Sequence, residues 1–361
     1  MAWVNGLQDV VAAGTELSEV NGEVGKLSYR GRDVGDLVGK FDYEDVAHLL
    51  WFGELPSEPQ KQSLNELFFS GRQAANEVFD VIDNLPAAVD AMNAAAIGLL
   101  CMRAPSGDES DASAAAWYTA AFPVLLLRHY ANQHGLLKPR PDIHAGHVAT
   151  YLYLLRGGIM PTTEEVQALE AYMVLTMEHS LNASAFAGRV AASTRANTAR
   201  ALVAALMTMT GPLHGGAPSL VLDMFDAIGS LSRADEWLEG ELSMGRRLMG
   251  FGHRVYRTVD PRAQVLHTIA AKSLAGQDSL VLAEGVERRA VKLLAAAKPG
   301  RQLHPNVEYW AACVLRSLDI PRSLLTATFA ASRMAGWSAH ILEQRRCDKL
   351  IRPQAVYVAA P

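Results

Sequence analysis

Cysteine is scarce in this sequence: Cys101, Cys313 and Cys347 are the only three in 361 residues. An odd, unclustered set argues against a disulfide framework and fits a reducing cytoplasm. Long apolar runs are missing too. The longest, such as residues 120–127, fall well short of the roughly 20 residues that a membrane span needs. The first ten residues hold no basic segment followed by an apolar stretch, so no secretory signal is expected. An excess of positive charge is also absent. The formal net charge is −5, which leaves no global field to attract nucleic acid or an anionic membrane. Any anionic ligand must therefore be held by a local group of cations. Those cations are mostly arginine, 25 against 8 lysines. Arginine suits two-pronged recognition of carboxylates and phosphates, although most copies are expected on solvated faces.

Strand signal is weak as well. The one credible stretch is residues 15–29, where Asn21-Gly22 offers a hairpin turn. Ala, Leu, Met and Glu dominate elsewhere, broken by Gly and Pro, so the chain reads as helix. Residues 42–52 form a short amphipathic helix ended by Gly53 and Pro56. Thr162, with Glu165 three residues later, forms a capping box for a long helix. Another helix covers residues 198–210 and stops at Gly211-Pro212. Residues 107–113 read as a polar loop, and residues 211–216 as the best hinge. No repeat and no change of composition marks a domain boundary.

Four segments could carry chemistry. In Gly211-Pro212-Leu213-His214-Gly215-Gly216, a histidine lies between a helix stop and a glycine pair. The positive end of the following helix would hold its imidazole neutral, able to donate to a developing enolate oxygen; a helix corner with a capping histidine is the plainer alternative. Residues 250–262 combine Gly250, Gly252, His253, Arg254, Arg257 and Arg262, a tight loop suited to an anion beside a proton donor. It is neither a P-loop nor a dinucleotide fingerprint. In His304-Pro305-Asn306-Val307-Glu308, the acid precedes an apolar helix and serves as a cap or as a general base. Arg333 sits among apolar residues in 329–353 and needs an anionic partner if buried. His144 and His147, three apart on an expected helix, lack a third metal ligand nearby, so no metal site is expected.

Taken together, these segments resemble citrate synthases. The matching stretches are residues 178–184 (Glu-His-Ser-Leu-Asn-Ala-Ser), 211–217, 249–262, 305–308, 333–340 and 351–353, with 25–31 and 49–56 near the start. They fall in family order over essentially the whole chain. The resemblance implies an all-α fold with a short N-terminal β-hairpin. It implies a large domain of residues 1–215 and 320–361 and a small one of residues 216–319. It implies a homodimer, and a reaction joining acetyl-CoA to oxaloacetate with thioester hydrolysis, using no cofactor beyond the substrates. Carried over motif by motif, Glu308 would take the methyl proton, His214 would stabilise the enolate, and His253 would protonate the alkoxide. His179, Arg262, Arg333 and Phe329, with Arg352 from the partner subunit, would hold oxaloacetate. Arg257 and the Leu248, Met249, Gly250, Phe251, Gly252 run would lie against CoA.

Two positions depart from the usual family pattern. Glu308 stands where Asp is common, and Pro218-Ser219 where many relatives have Asn-Glu. Both resemble a bacterial branch of short citrate synthases, in which 2-methylcitrate synthesis from propionyl-CoA is a second expectation. A catalytically silent metabolite-binding relative is a third.

Overall fold

A long helix, Leu325–Cys347, organises the fold. From Leu325 to Leu342 nearly every residue on it is buried, including Trp337, Ser338 and His340. A helix buried on every face must be surrounded on every side, and its polar side chains must find partners there. Helices Tyr43–Phe52, Ala112–His134, Thr163–Thr176, Ala183–Ser193 and Thr198–Met209 supply that surround. Gly336 lets one neighbour approach closely: a Cβ there would lie 2.2 Å from the Met177 carbonyl oxygen. The computed structural model describes residues 4–7, 10–104, 112–215 and 217–358.

The helix boundaries follow local chemistry. Asp42 and Asp45 form a capping box for Tyr43–Phe52, and Gly53 ends that helix in a left-handed conformation. Thr162 and Glu165 cap Thr163–Thr176 in the same reciprocal way. The helix Val307–Ser317 packs against Pro261–Ser273, Ala217–Ile228 and Thr163–Thr176. Segment 217–317 is thereby brought against the helix that precedes His179.

The N-terminal sheet is larger than a hairpin. Strands β1 (Ser18–Asn21), β2 (Lys26–Tyr29) and β3 (Arg32–Asp33) pair antiparallel in that order. Asn21 pairs with Lys26, so the turn holds the four residues 22–25, not the two-residue Asn-Gly turn expected. Asn21 ends β1, and its Oδ1 accepts from the Glu23 N–H at 3.2 Å. A single bridge between Phe251 and Pro305 adds extended pairing where none was expected.

Other expectations also shift. Helix Val307–Ser317 begins before Glu308, and Ala217–Ile228 begins two residues before Ser219. His144 precedes the helix that starts at His147, so the two do not share a helical face. His144 stacks on Phe69 and His147 on Tyr43. Of the expected loop 107–113, residues 112 and 113 are helical and the others lie outside the described residues. No helix among the described residues is long and apolar enough to cross a membrane.

Candidate active site

Two paired loops build one wall of the site. Gly252 N donates to the His304 carbonyl at 2.9 Å, and Asn306 N donates to the Gly250 carbonyl at 2.8 Å. Asn306 Nδ2 donates to the Gly252 carbonyl at 2.8 Å. The loop carrying His253 and the loop carrying Glu308 are thus held against each other by three hydrogen bonds. Gly250 and Gly252 both sit at φ near +80°, a conformation that side chains rarely adopt. Asn306 also caps the Glu308 helix, its Oδ1 accepting from Glu308 N at 3.0 Å. The cap is therefore Asn306, and the Glu308 carboxylate is left for another role.

Asp260 joins this wall to a buried cation. It caps Pro261–Ser273 and accepts from Arg262 N at 3.0 Å, Arg262 Nε at 3.0 Å and Arg262 Nη2 at 2.8 Å. It also accepts from Val307 N at 3.1 Å. Burial pushes the Asp260 carboxyl up, and Arg262 more than reverses this, leaving it below the usual range. Asp260 thus aims Arg262 and anchors the Glu308 helix together.

His253 has one tautomer. Its Nδ1 accepts from Val255 N at 3.0 Å and Tyr256 N at 3.1 Å. The ring proton must then be on Nε2, which lies 3.5 Å from Arg262 Nη2. Two donors side by side define a position for an oxygen. Burial, and then the Arg262 charge, lower the His253 pKa to about 4, so the ring is neutral at pH 7. His179 lies across from it, with ring centroids 5.5 Å apart, and its Nε2 meets the Tyr256 hydroxyl at 3.2 Å. Burial, with Arg262 and Arg333 beside it, holds His179 neutral as well.

Arg333 forms the opposite wall. It is buried, its Nε donates to the Thr176 carbonyl, and its guanidinium lies 4.7 Å over the Phe329 ring. Its Nη1 is buried with no protein partner among the described residues. The Arg333 charge acts on His179, His214 and Glu308 together. Glu178 supplies a nearby carboxylate, which accepts from His340 Nε2 at 3.1 Å. Arg189 Nη1 donates to His340 Nδ1 at 3.1 Å. Arginine is always a donor, so His340 carries its proton on Nε2 and faces Glu178 with it.

His214 is partly buried in the turn after Thr198–Met209, its Nε2 2.8 Å from Ser184 Oγ. Ser184 Oγ also accepts from Trp337 Nε1 at 3.0 Å and lies 2.7 Å from Asn182 Oδ1. Its single proton therefore has two acceptors, and the choice sets which His214 nitrogen is protonated. Burial first, then Arg333, lowers the His214 pKa. Glu308 is the counterpart. Burial raises its carboxyl to about 7 against the pull of Arg262 and Arg333.

The remaining sequence candidates divide. Phe329 lies one turn before Arg333 on the same buried helix. Leu248 is buried, and Met249 and Phe251 are partly buried beside Gly250 and Gly252. Arg257 is exposed, and its backbone N–H donates to the Gly22 carbonyl at 2.9 Å. Arg352 is exposed on the tail after the long helix and forms no ion pair among the described residues, apart from the cluster. Sequence reasoning gave no role to Asp260, Ser184, Tyr256, Trp337, Glu178 or His340. Asp260-Pro261 was a readable helix-start signal; the others depend on contacts between distant segments. Among the described residues no His, Cys, Asp and Glu group is arranged to hold a metal ion.

Known proteins share this frame. The citrate synthase C-terminal domain family model matches residues 6–354. A Mycobacterium tuberculosis protein is 39% identical over 365 residues, covering 99% of this chain and 93% of its own length. Citrate synthase from Haloferax volcanii is 34% identical, covering 98% of this chain and 94% of its own. The structure of citrate synthase from Thermoplasma acidophilum in a ternary complex with carboxymethyl coenzyme A and oxaloacetate superposes with a TM-score of 0.89. It is 29% identical, over 99% of this chain and 96% of that one. Both the helical frame and the sequence along it therefore lead to one conclusion: the chain belongs to the citrate synthase family.

Proposed function

We propose that the protein condenses acetyl-CoA with oxaloacetate and hydrolyses the resulting thioester to citrate and CoA. The observation that carries this reading is the convergence of unlike groups on one space. Two buried arginines, one with a free donor, face two neutral histidines and a carboxylate whose pKa is close to 7. Arginines and neutral donors suit a small dicarboxylate with a keto oxygen. A carboxylate of that pKa suits proton abstraction near neutrality.

In this reading Glu308 removes a proton from the acetyl methyl group. His214 donates from Nδ1 to the enolate oxygen, which requires the Ser184 hydroxyl to turn toward His214 Nε2. The enolate carbon attacks the keto carbon, while His253 Nε2–H protonates the new alkoxide. Arg262, Arg333 and His179, with Phe329 packed under Arg333, hold the two carboxylates. The 248–252 run and Arg257 lie along CoA. Residues 216–319 close as a small domain over a large domain of residues 1–215 and 320–361, excluding water before acyl-CoA binds.

The active form in this proposal is a homodimer, with Arg352 reaching the site of the partner. The exposed apolar tail residues Leu350, Val356, Tyr357 and Val358 support this. The reaction would feed acetyl carbon to the tricarboxylic acid cycle in a bacterial cytoplasm, a setting that three free thiols fit.

The test is thiol release from acetyl-CoA and from propionyl-CoA with oxaloacetate, compared by kcat/KM. Release from acetyl-CoA with the higher kcat/KM is expected. Release from neither removes the proposal, and a strong propionyl preference replaces it with 2-methylcitrate synthesis.

A further inference from the structure

We infer that the N-terminal β1–β2 hairpin is a brace that sets the spacing of the His179 and His253 loops once residues 216–319 have closed on it, with Ser18 as a positioning residue for His179. The inference rests on the proposal that these two histidines bind the keto acid.

One end of the hairpin grips the His179 loop. Ser18 opens β1, and its hydroxyl donates to Glu178 Oε1 at 3.0 Å while accepting from Ser180 N at 3.1 Å. Ser180 follows His179 at φ +52°, in the left-handed region. A serine stays there only where its surroundings hold it. Tyr29, the cross-strand partner of Ser18, uses its hydroxyl on the same loop. It accepts from Glu178 N at 3.2 Å and lies 3.0 Å from the Glu178 carbonyl. Glu178 is fixed in turn by His340, which Arg189 holds from its other ring nitrogen. The backbone on both sides of His179 is therefore set by two adjacent strands.

The other end meets the His253 loop, backbone against backbone. The Gly22 carbonyl accepts from Arg257 N at 2.9 Å. A Cβ at Gly22 would lie 2.1 Å from the Val255 carbonyl oxygen, and one at Gly25 would lie 2.6 Å from the Val259 carbonyl oxygen. Val255 and Tyr256 are the residues whose N–H groups fix His253 Nδ1. A displaced turn would thus displace the Nε2–H donor, with no flexible side chain between to absorb the shift. Strand pairing from Ser18 with Tyr29 to Asn21 with Lys26 makes the span between the ends stiff.

The test uses full-length Ser18→Ala, Ser18→Thr and Gly22→Ala. Oxaloacetate affinity is measured by titration calorimetry without acyl-CoA, and steady-state kinetics by thiol release. Ser18→Ala is expected to raise the oxaloacetate KM and Kd about tenfold, the loss of one charge-assisted hydrogen bond. The acetyl-CoA KM and kcat should stay within about twofold of wild type. Ser18→Thr, which keeps the hydroxyl, should restore oxaloacetate affinity. Gly22→Ala should weaken oxaloacetate at least as much as Ser18→Ala. Wild-type oxaloacetate affinity in Ser18→Ala overturns the brace. So does a uniform loss in all kinetic constants with a lowered melting temperature, which marks a merely structural residue. Wild-type protein that binds oxaloacetate but releases no thiol, with the same weakening in Ser18→Ala, keeps the brace and removes the condensation reading.

Discussion

Replacing Glu308 by Gln should make the protein slower and more stable at once, and the stability gain should depend on pH. Burial raises the Glu308 carboxyl from an ordinary value of 4.5 to about 7. Below pH 4.5 the group is neutral in both folded and unfolded chains and has no effect on stability. Between pH 4.5 and 7 the unfolded chain loses its proton while the folded chain keeps it, so stability falls as pH rises through that window. Above pH 7 the loss is complete. Its upper bound is about 3 kcal/mol, and nearer 2 kcal/mol because Glu308 keeps partial access to solvent. Gln never ionises and escapes this loss. At pH 8 the variant should melt about 3 °C above wild type, and at pH 4.5 the two should coincide. Thiol release at pH 8 should fall by roughly 10² to 10⁴, the usual contribution of a general base. The assay pair is a thermal melt series from pH 4.5 to 8 with parallel thiol-release kinetics. A stability difference that stays constant with pH would refute the burial argument. A near-wild-type rate would refute the role of the base.

Four further outcomes follow from the same geometry. Arg333→Lys loses the planar fork and should raise the oxaloacetate KM roughly 10- to 100-fold; an unchanged KM would place the substrate elsewhere. Mixing inactive Arg352→Ala with inactive Glu308→Gln chains and allowing subunit exchange should restore about a quarter of wild-type activity, because each mixed dimer contains one complete site. No recovery would show that Arg352 does not cross the interface. Glu170→Gln should stabilise the protein at pH 9 and not at pH 4.5, on the order of 2 kcal/mol, since burial, with Glu44 and Asp42 beside it, raises Glu170 to about 8; equal melts at pH 9 would count against this. Cys313, pushed up to about 12 by burial, should resist iodoacetamide until the protein unfolds, while exposed Cys347 reacts in the native state; mass spectrometry distinguishes them.

Much of the helical frame was legible because its signals are local. The Thr162–Glu165 capping box and the Gly53 stop need only neighbouring residues. The sheet was half legible: the Asn21-Gly22 turn signal pointed to residues 15–29, but the register depends on a four-residue turn shaped by its contact with residues 255–259. Within the site, His214, His253 and Glu308 stood out by residue type and by neighbouring Gly and Pro. Their protonation states did not. The His253 tautomer follows from two backbone donors, and the Glu308 pKa from burial that only the packed helices create. Ser184, Glu178 and His340 stayed silent because each acts through a partner about 30 or more positions away.

The long helix Leu325–Cys347 has a consequence for synthesis. Its side chains face protein on every side from Leu325 to Leu342, yet the helices that enclose it all precede it in the sequence. While the ribosome is making residues 43–317, those helices have an apolar channel and nothing to fill it. The core closes only after the last turn of the long helix leaves the exit tunnel. A chain halted short of residue 325 would keep that channel open to water and would be a strong client for chaperones and a poor survivor of proteolysis.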